Sequence, residues 1–283
     1  MTSDSRSGLI GRCVDCGRDG MAVSAQGWSC AACGREYRRD ALGVLLAMPT
    51  QQSAEPRFYQ NRDYQAWQKI WGTVADDWFI YRNALYRFFS MSGHRRVHRL
   101  LKEAGDVVHV ELGCGPGQLF ELVDGSRTIA LDANLSFLHR LKKRYPSVMA
   151  VQGNLYNTPF LSGAVRSVLC LHTLEHLYHL AEALEEIERL MHAEGAMLFT
   201  LPTEGGWGWS LGRRLITVPE LRRKHDLDAL AIMEVEHIND APRVMRFLKF
   251  YFTLQGVEYF PLRFLPWLGV NASITGRALP KKS

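Results

Sequence analysis

Nowhere in its 283 residues does the chain hold an uninterrupted apolar run of the roughly 18 to 20 residues that a membrane-spanning helix requires. The opening residues, MTSDSRSG, have no apolar core and do not read as a secretory signal peptide. The resulting expectation is a cytoplasmic protein whose contact with a bilayer, if any, is peripheral. A strong excess of one charge is also missing. The 34 Lys and Arg residues stand against 29 Asp and Glu, a net charge of +5 with a pI near 8.9. That balance permits an acidic substrate or a nucleic-acid surface and requires neither. Apolar residues, by contrast, make up 47% of the chain, enough to fill the core of one large α/β domain plus a small appendage.

Cysteine is scarce, with six residues, and four of these fall in one stretch, CVDCGRDGMAVSAQGWSCAACGREY. Cys13 with Cys16, and Cys30 with Cys33, form two C-x-x-C pairs, each suited to give half of a tetrahedral zinc shell. Two structural disulfides would use the same residues. The lack of an export signal points instead to a reducing compartment, where disulfides are rare. One Zn2+ in a ribbon over residues 1–48 is therefore expected. Four thiolates leave no position for water, so such a metal braces the fold and does no chemistry. With Tyr37 and the following RRDALGVLLAMP, about forty residues resemble the short zinc-ribbon proteins that activate tRNA and protein methyltransferases, and ribbons fused ahead of bacterial methyltransferases. Six arginines against five acidic residues leave the ribbon near neutral, a poor clamp for nucleic acid.

The polar break PTQQSAEP, Pro49 to Pro56, reads as a linker that opens a helical lid region spanning 49–105. Trp67, Ile70, Trp71 and Val74 recur at helical spacing, and two or three helices are expected before Glu103. Packing against the next domain accounts for these aromatics. The functional alternative is a lid over a ligand, with Phe58 and Tyr59 as its candidates. The run HRRVHRLLK, His94 to Lys102, reads as a solvated helix face.

From Asp106 short apolar runs alternate with amphipathic stretches. VVHVEL, TIALD, SVMAVQGN, VRSVLCLH and AMLFTLP read as strands; QLFELV, NLSFLHRLKKRY and LAEALEEIERLMH, the last ended by Gly195, read as helices. This alternation predicts an α/β fold with a doubly wound, mostly parallel sheet and a site at the C-terminal ends of its strands. The turn after the first strand carries Gly113, Gly115 and Gly117, which is G-x-G-x-G and lacks the G-x-G-x-x-G spacing of dinucleotide folds. Glu111 stands just ahead of it, where a carboxylate would oppose a pyrophosphate but suit a ligand carrying an ammonium and a sulfonium. Asp132, closing the second strand, can accept hydrogen bonds from both ribose hydroxyls, and Asn154, closing the third, can meet the edge of an adenine.

Through VELGCGPG, ALDAN, GNLYNTPF and VLCLHTLEHL, the stretch from Asp106 to Pro202 resembles the class I S-adenosylmethionine-dependent methyltransferases. The resemblance implies a seven-stranded Rossmann-like sheet that binds S-adenosylmethionine. It also implies that Gly113 and Gly115 approach the methionine portion, in a loop shared with Glu111, Cys114 and Gly117. Asp132 would bind the ribose, Asn154 and Leu155 would border the adenine, and Ala133 and Leu171 would line the same site. His172 would follow the fourth strand near the transferred methyl group. Asn154 departs from the family, since many relatives have aspartate there. When the acceptor is a hydroxyl its proton must be removed, and His172 is the candidate base. The alternative is that HTLEH only joins strand to helix, with His172 shaping the pocket, Glu175 hydrogen-bonding the backbone and His176 packing beneath.

The substrate must be read from residues outside this shared core. An insertion at about 203–240 carries Glu204, Trp207, Trp209, Arg213 and Arg214, and His237 follows in EVEHIN. The arginines could hold a phosphate or carboxylate, or be ordinary surface charges. Strands near FTLQGVEYFPL and GVNASITGRAL would form a terminal antiparallel hairpin within a domain spanning 106–283. The leading expectation is methyl transfer to oxygen or nitrogen of a small metabolite, glycan or lipid-linked intermediate. An RNA methyltransferase is the alternative, although the [N/D]-P-P-[Y/F] turn of exocyclic-amine enzymes is absent and Cys170 reads as a buried structural thiol. A non-catalytic cofactor-binding partner subunit is the third reading.

Overall fold

The structure, a computed structural model, describes residues 5–24, 27–51, 61–62, 65–66, 87–88, 91–103, 105–203, 214–215, 218–225, 232, 236–264 and 271–281. Phe58, Tyr59, Trp67, Ile70, Trp71, Val74, Glu204, Trp207, Trp209 and Arg213 lie outside these residues. Among the described helices, none is long and apolar enough to cross a membrane.

Three short strands, β1 (Ala22–Ser24), β2 (Gly27–Ser29) and β3 (Glu36–Arg38), form an antiparallel sheet in sequence order. They are followed by β4 (Leu45–Leu46), α1 (Ser92–Glu103), β5 (His109–Leu112), β6 (Thr128–Asp132), α2 (Leu135–Arg144), β7 (Met149–Gln152), β8 (Val165–Leu171), α3 (Leu180–Leu190), β9 (Met191–Pro202), α4 (Val218–His225), α5 (Ala241–Tyr251), β10 (Phe252–Phe260) and β11 (Ser273–Pro280). The main sheet has eight strands in the order β10-β11-β9-β8-β5-β6-β7-β4. Its seven expected strands are all present, with β9, β8, β5, β6 and β7 parallel and β11 antiparallel to both neighbours. The C-terminal ends of the parallel strands thus share one edge, which faces the loops that carry the site.

The eighth strand comes from the ribbon. Leu45 and Leu46 pair in parallel with Val151 and Gln152. The ribbon also docks through an Ile10–Phe160 bridge and through the Gly11 and Arg12 amides, which donate to the Pro159 carbonyl at 3.0 and 3.1 Å. Cys13, Val14, Trp28 and Tyr37 consequently share one apolar core with Val151 and Phe160 of the main sheet.

Three local readings change. QLFELV forms a 3-10 turn over Gln118–Glu121, entered from a left-handed Gly117, and not the start of an α-helix. The helix expected over LAEALEEIERLMH stops at Leu190, because Met191 is already extended and opens β9. The run His94 to Lys102 is only half solvated: His94, Val97 and Leu101 are buried, and Arg96 reaches Glu258 at 2.7 Å.

Leu45 is fully buried at the seam between ribbon and sheet. Leu45→Ala is expected to cost about 2–5 kcal/mol in urea unfolding followed by circular dichroism. A loss confined to ribbon signals, with an unchanged main transition, would show that the two parts unfold separately.

Candidate functional site

At the edge of the sheet, Glu111 occupies β5 and its side chain is 2% exposed. Its Oε2 has no hydrogen-bond partner among the described residues. Burial, reinforced by the negative charge of Asp132, pushes its carboxyl up to about 8. The group first read as a carboxylate therefore holds a proton at neutral pH. Asp132 ends β6, and its two carboxyl oxygens accept the amide protons of Gly115 and Asn134, both at 2.8 Å. Burial still raises Asp132 above its ordinary range despite these bonds.

The glycine turn is held from the neighbouring strand. Thr173 Oγ1 lies 3.1 Å from the Leu112 carbonyl and 3.3 Å from that of Gly113. A Cβ on Gly113, whose φ is +75°, would stand 2.4 Å from the Thr173 side chain, so only glycine fits. Cys114 is buried, and burial raises its thiol well above the ordinary value, leaving it an apolar filler of the loop. Gly115 and Gly117 complete the turn.

Ala133 is exposed just after Asp132, and its carbonyl accepts from Gln152 Nε2 at 3.1 Å. Strand β7 stops at Gln152, so Asn154 lies two residues past its end, in a small turn where its Oδ1 accepts the Tyr156 amide at 3.0 Å. Leu155 beside it is buried. Leu171, also buried, ends β8, and His172 follows with φ +54°, the one non-glycine residue of the described chain in that left-handed region. Thr200 fixes its backbone by accepting the His172 amide proton at 3.1 Å. His172 Nε2 is buried and has no hydrogen-bond partner among the described residues. Cys170 is fully buried, and burial with nearby Glu111 and Glu175 raises its thiol strongly, so it offers no thiolate nucleophile.

Other parts of the neighbourhood were not legible from residue spacing. His94 of α1 stacks on His172 with ring centroids 5.6 Å apart. His237 lies edge-on to His176 at 4.7 Å. Arg214 is exposed.

The four ribbon cysteines converge as their spacing predicts. All four sulfurs lie within 4.8 Å of one another, with Cys13–Cys33 and Cys16–Cys30 both at 3.6 Å. A tetrahedron of sulfurs about 2.3 Å from a zinc ion has edges of about 3.8 Å, which these distances match. Each knuckle is closed by a glycine amide: Gly17 donates to the Cys13 carbonyl at 2.8 Å and Gly34 to that of Cys30 at 2.9 Å. Burial would raise the Cys13 thiol, but Tyr37 Oη at 3.1 Å and backbone amides outweigh it and bring the group to about 6. Cys33 is pushed up to about 12, where its thiol neighbours outweigh the Arg35 amide that would lower it. Four thiolates so close repel one another unless a cation sits between them.

Residues 110–199 match the family model described as a methyltransferase domain. An uncharacterized protein of Methanocaldococcus jannaschii is 33% identical over 93 residues, which are 33% of this chain and 40% of that protein. A probable S-adenosylmethionine-dependent methyltransferase of Mycobacterium tuberculosis is 28% identical over 95 residues, 33% of this chain and 35% of its own length. The match thus spans 40% or less of these curated relatives. The solved N-methyltransferase NodS of Bradyrhizobium japonicum, in complex with S-adenosyl-L-homocysteine, shares the fold with a TM-score of 0.53 at 14% identity, over 78% of this chain and 100% of that one. The glycine turn, strand order and acidic strand ends agree with these matches: residues 110–199 carry a methyltransferase domain similar to that of S-adenosylmethionine-dependent methyltransferases, with a four-cysteine cluster packed against it.

Proposed function

We propose that this chain binds S-adenosylmethionine at the glycine turn and transfers its methyl group to oxygen or nitrogen of a small metabolite, glycan or lipid-linked acceptor. The observation that carries the reading is the pair of buried carboxyls, Glu111 and Asp132, on either side of a glycine turn. Such a pair suits a cationic ligand bearing hydroxyl groups and disfavours phosphate. When bound, the cofactor supplies an electrophilic methyl group on a sulfonium. The chain then has to bind, orient and move a proton. Glu111 offers a carboxyl that ionises beside a cation. Asp132 keeps lone pairs for ribose hydroxyls beyond the two amides it already holds. The amide group of Asn154, its oxygen engaged by Tyr156, presents a donor to the adenine edge, and Leu155 supplies an apolar wall. Gly113, Cys114, Gly115, Gly117, Ala133 and Leu171 complete the cofactor surface. His172 Nε2 takes the acceptor's proton.

Residues 1–48 hold one Zn2+ through Cys13, Cys16, Cys30 and Cys33. In this reading the ribbon precedes a linker and lid over 49–105, and the methyltransferase domain runs from 106 to 283. Tyr59, Glu204, Arg213, Arg214 and His237 are the residues proposed to meet the acceptor. The protein works in the cytoplasm.

Incubation with methyl-labelled S-adenosylmethionine and fractionated cell extract should place label in a small-molecule, glycan or lipid fraction. Label in RNA would reverse the order of readings, and no label from any fraction would favour a non-catalytic partner subunit. On the labelled acceptor, His172→Ala should slow turnover by about 10²–10⁴-fold, and a near-normal rate would remove the base assignment. Metal analysis of the full chain purified under reducing conditions should find about one zinc per chain, lost together with thermal stability in Cys13→Ser. Metal-free wild-type protein of unchanged stability would sink the zinc reading.

The Glu111 carboxyl gives a signature in pH. The folded chain holds this proton more tightly than the unfolded chain, so stability falls as pH rises from 4.5 to about 8. Glu111→Gln keeps the shape and removes the titration. Relative to wild type it should gain on the order of a few kcal/mol at about pH 8.5 and nothing at about pH 4, read from urea midpoints. A difference independent of pH would show that the folded chain holds Glu111 charged.

A further inference from the structure

Around Glu175 the chain gathers three imidazoles, and a fourth, His94, stacks on one of them. Glu175 lies in the short turn Leu174–His176 that follows β8 and is 2% exposed. Its Oε1 is 3.6 Å from His172 Nδ1 and 3.9 Å from His176 Nε2. His237 comes from the segment ahead of α5, and Asn239 pins that segment in place. The Asn239 amide donates to the Glu175 carbonyl at 3.0 Å, and its Nδ2 donates to the Leu177 carbonyl at 2.7 Å. Buried His94 stacks against His172.

Glu111 and Glu175 are equally buried and end in opposite states. Burial raises both, and at Glu111 no positive group among the described residues opposes it. At Glu175 the imidazoles of His172, His176 and His237 outweigh burial and hold the carboxyl below its ordinary range. A carboxylate kept ionised in so dry a place must be compensated by its neighbours, so its contacts have a direction. His176 is already committed, because its Nδ1 hydrogen-bonds the Glu236 backbone carbonyl. His172 is the partner whose ring remains to be oriented. The positive φ aims it, Nδ1 faces Glu175, and Nε2 is buried without a partner among the described residues.

We propose that Glu175 is the positioning residue of the site: it binds the Nδ1 proton of His172 and so holds the imidazole in the tautomer whose Nε2 lone pair faces the acceptor. The proposal rests on His172 serving as the base. When the acceptor's proton arrives at Nε2, His172 becomes an imidazolium with a proton on each nitrogen. Glu175 offsets that charge and takes no proton itself, the division of labour seen wherever a carboxylate orients a catalytic histidine. The 3.6 Å separation is longer than a finished hydrogen bond, as is common before a site closes on its ligands.

The test needs no acceptor. In full-length protein labelled with 15N at histidine, long-range proton–nitrogen spectra read the tautomer of each ring, with His172→Gln supplying the assignment. Neutral His172 should carry its proton on Nδ1, and Glu175→Gln should lower its titration midpoint by about one pH unit, a tenfold change in acid constant. The groups facing this pair are His94 from α1, His176 on the same turn, Glu236 and His237 ahead of α5, and Asp132 at the end of β6. His94→Gln and Glu236→Gln separate their contributions. A proton on Nε2 in the wild type, or an unmoved midpoint in Glu175→Gln, overturns the proposal; if that variant does not fold, the wild-type tautomer alone decides. A wrong tautomer with turnover lost in His172→Ala sinks the role of Glu175 and spares the base. The right tautomer with normal turnover in His172→Ala sinks the base alone.

Discussion

One threonine hydroxyl ties the two halves of the site together. Thr173, two residues past β8, reaches the carbonyls of Leu112 at the end of β5 and of Gly113 just beyond it, which couples the turn that would hold a cofactor to the turn that carries His172. Strands β5 and β8 are parallel neighbours, which places their C-terminal ends side by side before any side chain is chosen. Gly113 is then fixed by exclusion, because the threonine fills the space where its Cβ would be. The site follows from how two adjacent strands end.

On that frame the protein sets two buried glutamates to opposite purposes. Among the described residues Glu111 has Asp132 for its charged neighbour and keeps a proton, a neutral group ready to ionise when a cation arrives. Glu175, amid imidazoles, gives its proton up and stays charged. Depth alone does not decide ionisation; the sign of what surrounds each group does. A similar balance operates in the ribbon, where one thiol ionises readily and another resists.

Much of this was legible in the sequence because periodicity and turn chemistry are local. The order of strands, the glycine turn, Asp132 and the two C-x-x-C knuckles are written in short runs. Glu175 stood in plain view inside HTLEH, yet its charge state depends on His237, sixty-two residues further on, and no spacing rule joins them. His94 was hidden in a run of basic residues that looks solvated, because burial of one face by β9 and β11 is a tertiary event. The misread end of α3 has a local cause: Met191 turns extended directly after the helix, and the apolar spacing of LAEALEEIERLMH runs on past it. Asn154 was placed on a strand that ends two residues earlier, the usual margin for element boundaries.

The two-residue strand β4 has a bearing on company as well as on stability. An unpaired strand edge is a template for another chain, and β7 would present one if the ribbon did not lie along it. With β4 in place, a strand added on that side would meet only two residues of ladder. The other flank, β10, is bent by a register shift between Gln255 and Glu258, which spoils a straight ladder. The ribbon thus also occupies, from within the chain, a sheet edge that would otherwise be open to another strand.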